Sequence, residues 1–559
     1  MKDWWKKATV YQIYPKSFSD SNGDGIGDIV GIIEKLDYLK SLGIEVVWLT
    51  PIYVSPQNDN GYDIADYYKI DPLFGTMEEF EKLLNEAHKR GLKIIMDMVV
   101  NHTSTEHKWF KEAVKGKDNP YHDFYIWKKG KDNKPPTNWV SKFGGSAWKY
   151  IENLDEYYLH LFDVTQADLN WENEVLRKEI YKMMRFWLDK GVDGFRLDVV
   201  NLLSKDQRFL NDTLEDSNHD GRKFYTDGPK IHEYLHEMNR EVFSKYEHNM
   251  TVGEMSSTTI DNCIKYTEPS REELTMIFSF HHLKVDYLNG EKWSLMPFDF
   301  MKLKKILFDW QIGMQNGNGW NALFWCNHDQ PRVLSRFGDD IKYQTESGKM
   351  LATAIHLMRG TPYIYQGEEI GMTNPNFERI DEYRDVESIN AYNILKKKGI
   401  EEEKIIDILK SKSRDNSRTP VQWNDSLNAG FTLGIPWINV VKNYKKVNVK
   451  NSIENNDSIY NYYKKLIELR KVYPIISEGN IREILKENNR VLGYERILGN
   501  KKLIVVCNFY EEKIGISLNN YNLTNSKILI SNYKDFKIKD YINLRPYECF
   551  AIFVENTEM

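Results

Sequence analysis

Acidic, basic and histidine side chains stand at the ends of four short apolar runs of this chain. The runs end in Asp97-Met98-Val99-Val100-Asn101-His102, Gly194-Phe195-Arg196-Leu197-Asp198, Val252-Gly253-Glu254-Met255 and Trp325-Cys326-Asn327-His328-Asp329. Such groups are costly at the end of a buried strand unless they are paired or used. Several strands that deliver them to one place would form the active site of a barrel enzyme. Three of these acids (Asp198, Glu254 and Asp329), with one arginine and two histidines, suit the cleavage of a glycosidic bond.

Two of these carboxylates match the pair that a retaining glycosidase needs. One is an ionised nucleophile and the other a protonated acid, about 5–5.5 Å apart. Arg196 and Asp198 are two residues apart, so their side chains share one face of a strand, and the arginine is expected to keep Asp198 ionised. Glu254 follows an apolar run, so burial is expected to raise its pKa, as an acid requires. Asp329 is then expected to bind sugar hydroxyls and to favour the cationic transition state.

Each of these residues also has a plainer interpretation. A single Asp at a strand end is more often a helix cap or an ion-pair partner, and a single His is usually a structural side chain with satisfied hydrogen bonds. Their joint occurrence at the ends of several strands is what indicates an active site.

The elements that would position these residues alternate between strand-like and helix-like runs. Gly43 ends the first predicted helix, and Thr76 with Glu79 has the spacing of a capping box at the start of the second. The predicted strands are 8–14, 44–49, 93–100, 194–200, 249–255, 274–280, 322–328 and 362–366. Eight strands with helices between them predict an α/β fold, a (β/α)8 TIM barrel.

Two interruptions and one change of pattern divide the chain into domains. We expect the catalytic barrel in residues 1–100 and 171–476, and a small inserted domain after strand 3 in residues 101–170. A second, polar insertion runs from 371 to about 455 and contains a lysine-rich helical stretch. Short alternating segments in residues 477–559 predict a C-terminal antiparallel β-sandwich domain.

Composition restricts the kinds of partner. The 559 residues carry a net charge of -6, which argues against nucleic acid as a partner. An anionic substrate would therefore need a local cluster of bases. No apolar run approaches the roughly 20 residues of a membrane span, and the first residues do not have the pattern of a signal peptide. The four cysteines are far apart in apolar runs, so free buried thiols and a cytoplasmic location are expected. The sequence does not determine the oligomeric state, for which we favour a monomer.

The four motifs together resemble the α-amylase family of retaining α-glycoside hydrolases (family 13), and the resemblance covers nearly the whole chain. It implies Asp198 as nucleophile, Glu254 as acid/base and Asp329 as transition-state stabiliser, with no cofactor for catalysis. It also implies a set of residues that hold the first glucose: Arg196, His102, His328, Tyr62 and Asp63.

A further sugar-binding arginine of the family is matched within Arg414-Asp415-Asn416-Ser417-Arg418-Thr419-Pro420. Arg418 is the residue that we assign to this role. The choice between Arg414 and Arg418 stays open at this stage, and a structural salt bridge is as plausible for either.

A separate motif, Asp20-Ser21-Asn22-Gly23-Asp24-Gly25-Ile26-Gly27-Asp28, resembles the first part of a calcium loop. The oxygen ligands would be the side chains of Asp20, Asn22, Asp24 and Asp28 and the carbonyl of Ile26. Gly31 stands where a calcium-sensing hand has its bidentate Glu, so we expect a small structural Ca²⁺ or Mg²⁺ site instead. The alternative is a plain Asp/Gly turn.

Finer resemblances within the family point to a sugar phosphate as substrate. Val199, next to the nucleophile, resembles the branch that handles bonds other than α-1,4. Four segments, 162–171, 254–258, 278–287 and 324–328, resemble members that cleave α,α-trehalose 6-phosphate to glucose and glucose 6-phosphate. Members that cleave α-1,6 bonds tend to carry acids where this chain has His281 and Lys284.

This difference in charge has a physical meaning. A phosphate carries about -1.5 to -2 charges near neutral pH, and carboxylates in its pocket would repel it. His281, Lys284 and Lys292 would instead supply cationic donors. The alternative is that these lysines are solvated surface residues.

Three rival functions remain. The nearest is an α-glucosidase that acts on isomalto-oligosaccharides, with the same chemistry and an uncharged leaving sugar. A transferase of the same fold would differ mainly in keeping water out. A non-catalytic binding subunit is disfavoured because all three acids are present.

Overall fold

The computed structural model describes residues 3–132, 134–213 and 218–555, and its centre is a ring of parallel strands. The strands are β1 (Val10–Ile13), β2 (Val46–Leu49), β3 (Lys93–Met98), β4 (Gly194–Leu197), β5 (Met250–Met255), β6 (Met276–Ser279), β7 (Ala322–Leu323) and β8 (Thr361–Tyr365). They are hydrogen-bonded in the order β6-β5-β4-β3-β2-β1-β8-β7. A single parallel bridge between Ile277 and Asn321 joins β6 to β7, so the predicted barrel is confirmed.

The strands form because their residues are buried on both faces. Every residue of β1, β2, β4 and β8 is buried, as expected of parallel strands that helices cover. All strands but β8 are shorter than the sequence predicted. β7 ends at Leu323, because residues 324–328 leave the ladder but stay buried.

Helices cover the outside of the ring. Thr76 forms the predicted capping box with Glu79, and Gly43 takes a left-handed conformation (φ 104°) that ends a helix before β2. The covering helices are Ile29–Glu34, Leu36–Leu42, Met77–Lys89, Glu174–Asp189, Ile231–Glu241, Ile260–Thr267, Phe300–Asn316, Val333–Phe337, Gln344–His356, Ile459–Val472 and Pro474–Glu478.

A small inserted unit lies between β3 and the helix Glu174–Asp189. Its strands Trp127–Lys128, Glu156–Leu159 and Trp148–Ile151 form an antiparallel sheet, and His102–Ser104 pairs with Gln166–Asp168. The short helix Lys108–Ala113 lies between them in the chain. An ion pair of 2.8 Å between Asp168 and Lys205 ties this unit to the loop after β4.

The second insertion follows β8 and also reaches the mouth of the barrel. Its helices are Val386–Lys397, Glu402–Lys412, Asp415–Arg418 and Val449–Glu454. Gly399 (φ 78°) separates the first two, so the lysine-rich stretch is two helices and not one.

The C-terminal part is an antiparallel β domain, as predicted. Its larger sheet contains Asn480–Ile484, Val491–Leu498, Lys501–Asn508, Cys549–Glu555 and Ser526–Ser531, in this order. Ile514–Ser517 pairs with Tyr541–Leu544 in a second sheet. All four cysteines are buried free thiols. Among the described residues, the helices are all too short or too polar to cross a membrane.

Candidate active site

One buried guanidinium, that of Arg196, binds three carboxylates at the carboxyl ends of β3, β4 and β5. Its Nη1 donates to Asp97 Oδ1 at 2.7 Å and to Asp198 Oδ1 at 2.6 Å, and its Nη2 donates to Glu254 Oε2. The strand register explains this, because Arg196 lies opposite Asp97 in β3 and opposite Val252 in β5, two residues before Glu254. Asp198 and Glu254 thus share one guanidinium, and each affects the pKa of the other. Two carboxyl groups held by one side chain suit the short separation of a retaining pair.

Burial gives the two carboxyl groups different protonation states. It raises the pKa of Glu254 to about 8, and the nearby charges of Asp198 and Asp329 act in the same direction. Glu254 is therefore protonated at neutral pH, as a general acid must be. Burial also raises the pKa of Asp198 to about 6, since Arg196 offsets only part of this effect and Asp97 adds to it. The expected lowering by Arg196 is thus present but does not decide the net direction, and Asp198 is still mostly ionised at pH 7.

Val199, next to the nucleophile, has an unusual backbone. Its φ of 35° and ψ of 40° are left-handed, which is rare for a β-branched residue and marks a strained position. In this conformation its N–H lies 3.3 Å from Glu254 Oε2. The strain therefore orients one more hydrogen-bond donor at the acid.

The three acids open on a cavity of about 150 Å³ at the mouth of the barrel. Its lining combines acids, aromatic rings and a few other polar groups: Asp59, Asp198, Glu254, Asp329, Glu387, Tyr62, Phe143, Phe162, His102, Gln166, Val199, Lys292, Gln330 and Arg414. Phe143 and Phe162 meet edge to face at 5.7 Å. Both rings come from the inserted unit, so this unit closes one side of the cavity.

Tyr62 and the two predicted histidines lie around this cavity. Tyr62 donates to Asp97 Oδ2 at 2.9 Å, and its ring stacks on His328 at 5.2 Å. Burial lowers the pKa of His328 to about 3 and also lowers that of His102, so both imidazoles are neutral. His102 lines the cavity, whereas His328 is fully buried behind it.

Asp329 is the most strongly ionised of the three acids. Burial opposes its ionisation, but His328, Arg414 and Arg418 together hold its pKa well below the usual range. Arg418 Nη2 lies 2.7 Å from Asp329 Oδ1, and Arg414 Nη1 lies 3.3 Å from the same oxygen. A permanent negative charge here suits the stabilisation of a cationic transition state.

The structure separates the two candidate arginines. Arg414 lines the cavity, stacks on Phe143 at 4.9 Å and bonds Asp59 at 2.9 Å. Arg418 is completely buried and donates to the carbonyl of His328 at 2.8 Å. Arg414 is therefore the one that can contact a sugar, and Arg418, our assignment from sequence, lies behind Asp329.

The structure also distinguishes Asp63, a predicted sugar ligand, from its neighbour Asp59. Its carboxylate is fully buried and accepts hydrogen bonds from Asn58 N (2.9 Å), Asp59 N (3.0 Å) and Ser55 Oγ (3.0 Å). It holds the loop, and Asp59 lines the cavity in its place. No feature of the sequence distinguished these two acids.

The three predicted phosphate ligands lie in different surroundings. Lys292 lines the cavity but is paired at 2.6 Å with Glu387, an acid that the sequence analysis missed. His281 contacts Ser279 Oγ through Nδ1 at 3.0 Å, and burial lowers its pKa to about 4. It is therefore neutral and not cationic. Within the described ranges Lys284 makes no side-chain hydrogen bond or ion pair, so no described group compensates its charge.

The predicted metal loop is held by its own hydrogen bonds. Asp20 accepts from the backbone N–H groups of Gly23 (2.7 Å) and Gly25 (2.8 Å), and Asp28 caps the following helix. No three acidic, histidine or cysteine side chains of the described residues converge as a metal cluster would require. The oxygen donors suit a hard cation by type, so the metal site stays a prediction.

Comparison with known proteins agrees with this geometry. Residues 12–479 match the model of the alpha amylase catalytic domain, and residues 491–550 match that of the alpha-amylase SusG C-terminal domain. The chain is 61% identical to trehalose-6-phosphate hydrolase of Bacillus subtilis, over 98% of this chain and 97% of that one. It is 53% identical to oligo-1,6-glucosidase of Bacillus cereus, over 98% and 99%. The crystal structure of Bacillus licheniformis trehalose-6-phosphate hydrolase superposes with a TM-score of 0.95 at 61% identity, covering 99% of this chain and 100% of that one.

Proposed function

The chain belongs to the alpha-amylase family, and from this membership we propose that it hydrolyses α,α-trehalose 6-phosphate to glucose and glucose 6-phosphate with retention of configuration. The observation that carries the chemistry is Arg196, which holds Asp198 and Glu254 side by side in opposite protonation states. The likeness to two trehalose-6-phosphate hydrolases at 61% identity supports the substrate.

In the first half of the reaction, Asp198 attacks the anomeric carbon of the unphosphorylated glucose. Glu254 gives its proton to the glycosidic oxygen as the C–O bond breaks, and glucose 6-phosphate leaves. The glucosyl unit is then bound to Asp198 as an ester. Asp329, held ionised by its arginines, stabilises the positive charge that develops on the ring.

In the second half, a water molecule replaces the departed sugar. Glu254, now a carboxylate, takes a proton from the water, and the oxygen attacks the anomeric carbon. The ester bond to Asp198 breaks and glucose is released. Both residues return to their starting protonation states, so no cofactor is consumed.

Lys284 supports the choice of a phosphorylated leaving sugar. It follows β6, next to the acid-bearing strand β5, and has no anionic partner among the described residues. Lys292 and His281 contribute less, because Glu387 neutralises the first and burial keeps the second uncharged. A polar sugar without charge would leave Lys284 uncompensated.

The rival function is cleavage of isomalto-oligosaccharides, which the 53% identity to oligo-1,6-glucosidase favours. The purified protein should be assayed side by side on trehalose 6-phosphate and isomaltose, with release of glucose as the readout. We expect a much larger kcat/KM on the phosphorylated sugar. A larger value on isomaltose would establish the rival instead.

We also propose a cellular location, an oligomeric state and a metal site for this protein. The four buried free thiols support a cytoplasmic location, where disulfides are rare. We also expect the protein to act as a monomer. The oxygen-rich loop from Asp20 to Asp28 supports a structural Ca²⁺ or Mg²⁺ site.

A further inference from the structure

Three cationic side chains come from three loops at the mouth of the barrel, and one of them, Lys142, contacts Ser256, two residues after the acid/base residue Glu254. Lys142 belongs to the inserted unit, Arg222 to the short 3-10 helix Arg222–Phe224 that precedes the helix Ile231–Glu241, and Lys284 to the turn after β6. Burial lowers the pKa of Lys142 to about 8, and the charges of Arg222 and Lys284 act in the same direction. Arg222 likewise contributes to the lowered pKa of Lys284. The contacts of Lys142 agree with this proximity. Its ammonium lies over the ring of Tyr225, which directly follows Arg222–Phe224, and it contacts Ser256, next to the β5 residue Met255 that pairs with Ser279 of β6.

Few anionic groups compensate these cations. Lys142 Nζ lies 3.4 Å from the neutral Ser256 Oγ and 5.3 Å from the centre of the Tyr225 ring. Within the described residues neither it nor Lys284 has an ion-pair partner. Arg222 is paired with Asp220, at 2.7 Å from Nε. The described cluster thus holds three positive charges against one paired acid, and an anion between them would lower its energy.

The position of the cluster relates it to the leaving group. Ser256, the contact of Lys142, is two residues beyond Glu254 in the chain. The charge of Glu254 also acts on Lys142 and raises the pKa of its ammonium. Because Glu254 protonates the oxygen of the departing sugar, the cluster lies on the leaving-group side of the site, just outside the lining of the cavity.

We propose that Lys142 and Arg222 act with Lys284 to bind the phosphate of the leaving sugar, which makes them specificity-determining residues. This inference rests on the proposed function. A phosphate offers three strong acceptor oxygens, which suit one guanidinium and two ammonium groups. The sequence analysis found only Lys284 of this set, because the other two stand in loops with no strand pattern to place them.

The test compares a charged and an uncharged leaving group. Lys142→Met removes the charge and keeps most of the side-chain volume, and Lys284→Met is the second variant in case the first does not fold. Lys149→Met, an exposed lysine of the same inserted unit, is the matched control. For Lys142→Met we expect kcat/KM on trehalose 6-phosphate to fall about 10- to 100-fold, mainly through KM. Hydrolysis of p-nitrophenyl α-glucoside should change less than about twofold, within the spread of a surface substitution.

Equal losses on both substrates, or no loss on either, would overturn the inference. A second readout separates it from the proposed function. Glucose 6-phosphate should inhibit hydrolysis of the aryl glucoside by wild type, and its inhibition constant should rise about 10- to 100-fold in Lys142→Met. If wild type does not cleave trehalose 6-phosphate but this inhibition shifts, only the proposed function fails. If wild type cleaves it and the inhibition does not shift, only the inference fails.

Discussion

Replacement of Arg196 by glutamine should move the whole pH profile of the enzyme to higher pH. The guanidinium binds Asp97, Asp198 and Glu254 and lowers the pKa of each carboxyl group. Without the guanidinium, only burial and the mutual repulsion of the three carboxylates would act on these pKa values. Glutamine can still donate hydrogen bonds, so the change isolates the charge.

The size of the effect follows from the pKa of about 6 for Asp198. At pH 7 such a group is about 90% ionised. Loss of an adjacent arginine raises the pKa of an aspartate by about 1–3 units, which leaves between about 50% and about 1% of the nucleophile ionised. The rate at pH 7 should therefore fall about 2- to 100-fold from ionisation alone. Glu254 should move in the same direction, so both limbs of the profile shift.

The assay is kcat/KM on p-nitrophenyl α-glucoside as a function of pH. Arg196→Lys restores one charge but not three contacts, so its profile should lie between those of wild type and Arg196→Gln. Arg177→Gln is the control, because Arg177 is paired at 2.7 Å with Glu237 and neither residue lines the cavity. This variant should have a lower melting temperature but an unshifted pH profile. A profile of Arg196→Gln that is lower but centred at the wild-type pH would refute the reasoning.

Four other results are expected. Wild type should show a bell-shaped profile that rises through about pH 6, as Asp198 ionises, and falls through about pH 8, as Glu254 loses its proton; a profile without the alkaline fall would contradict the role of Glu254. Asp198→Asn should abolish turnover on every α-glucoside while circular dichroism stays unchanged, and rates like those of wild type would remove the assignment. Arg414→Gln should raise KM about tenfold on charged and uncharged substrates alike, whereas Arg418→Gln should mainly lower the melting temperature; the reverse would restore the assignment from sequence. A chelator should lower the melting temperature of wild type, with recovery on adding Ca²⁺ or Mg²⁺, but should not affect Asp24→Ala; an unchanged wild type would exclude the metal.

The barrel was predictable because strand-forming residues and helix caps act locally. Thr76 and Glu79 are three residues apart, so their capping box is visible in the sequence alone. The ends of the strands are harder to predict from the sequence. Residues after Leu323 are as apolar as those before it, and only the diverging path of the chain ends β7 there.

The sequence identified the candidate site residues at strand ends. For residues on loops, it indicated a near neighbour of the residue that lines the cavity. Asp198 and Glu254 follow from the strand register, but Asp59 and Asp63 differ only in how their loop folds. The choice between Arg414 and Arg418 stayed open for the same reason, because the return path of the second insertion decides which arginine enters the cavity. The neutral state of His281 depends on burial, which no residue type reveals.

The single bridge between Ile277 and Asn321 has a consequence for how the enzyme moves. It is the thinnest join in the ring, since β7 is only two residues long and Ile277 N reaches Trp320 O at 3.3 Å. Local opening begins where few backbone hydrogen bonds resist it, so amide hydrogen exchange should be fastest along this seam among the ring strands. The turn that carries Lys284 directly follows β6, one of the two strands of this seam. Transient opening between β6 and β7 would therefore loosen recognition of the departing sugar, while the carboxylates bound by Arg196 stay fixed.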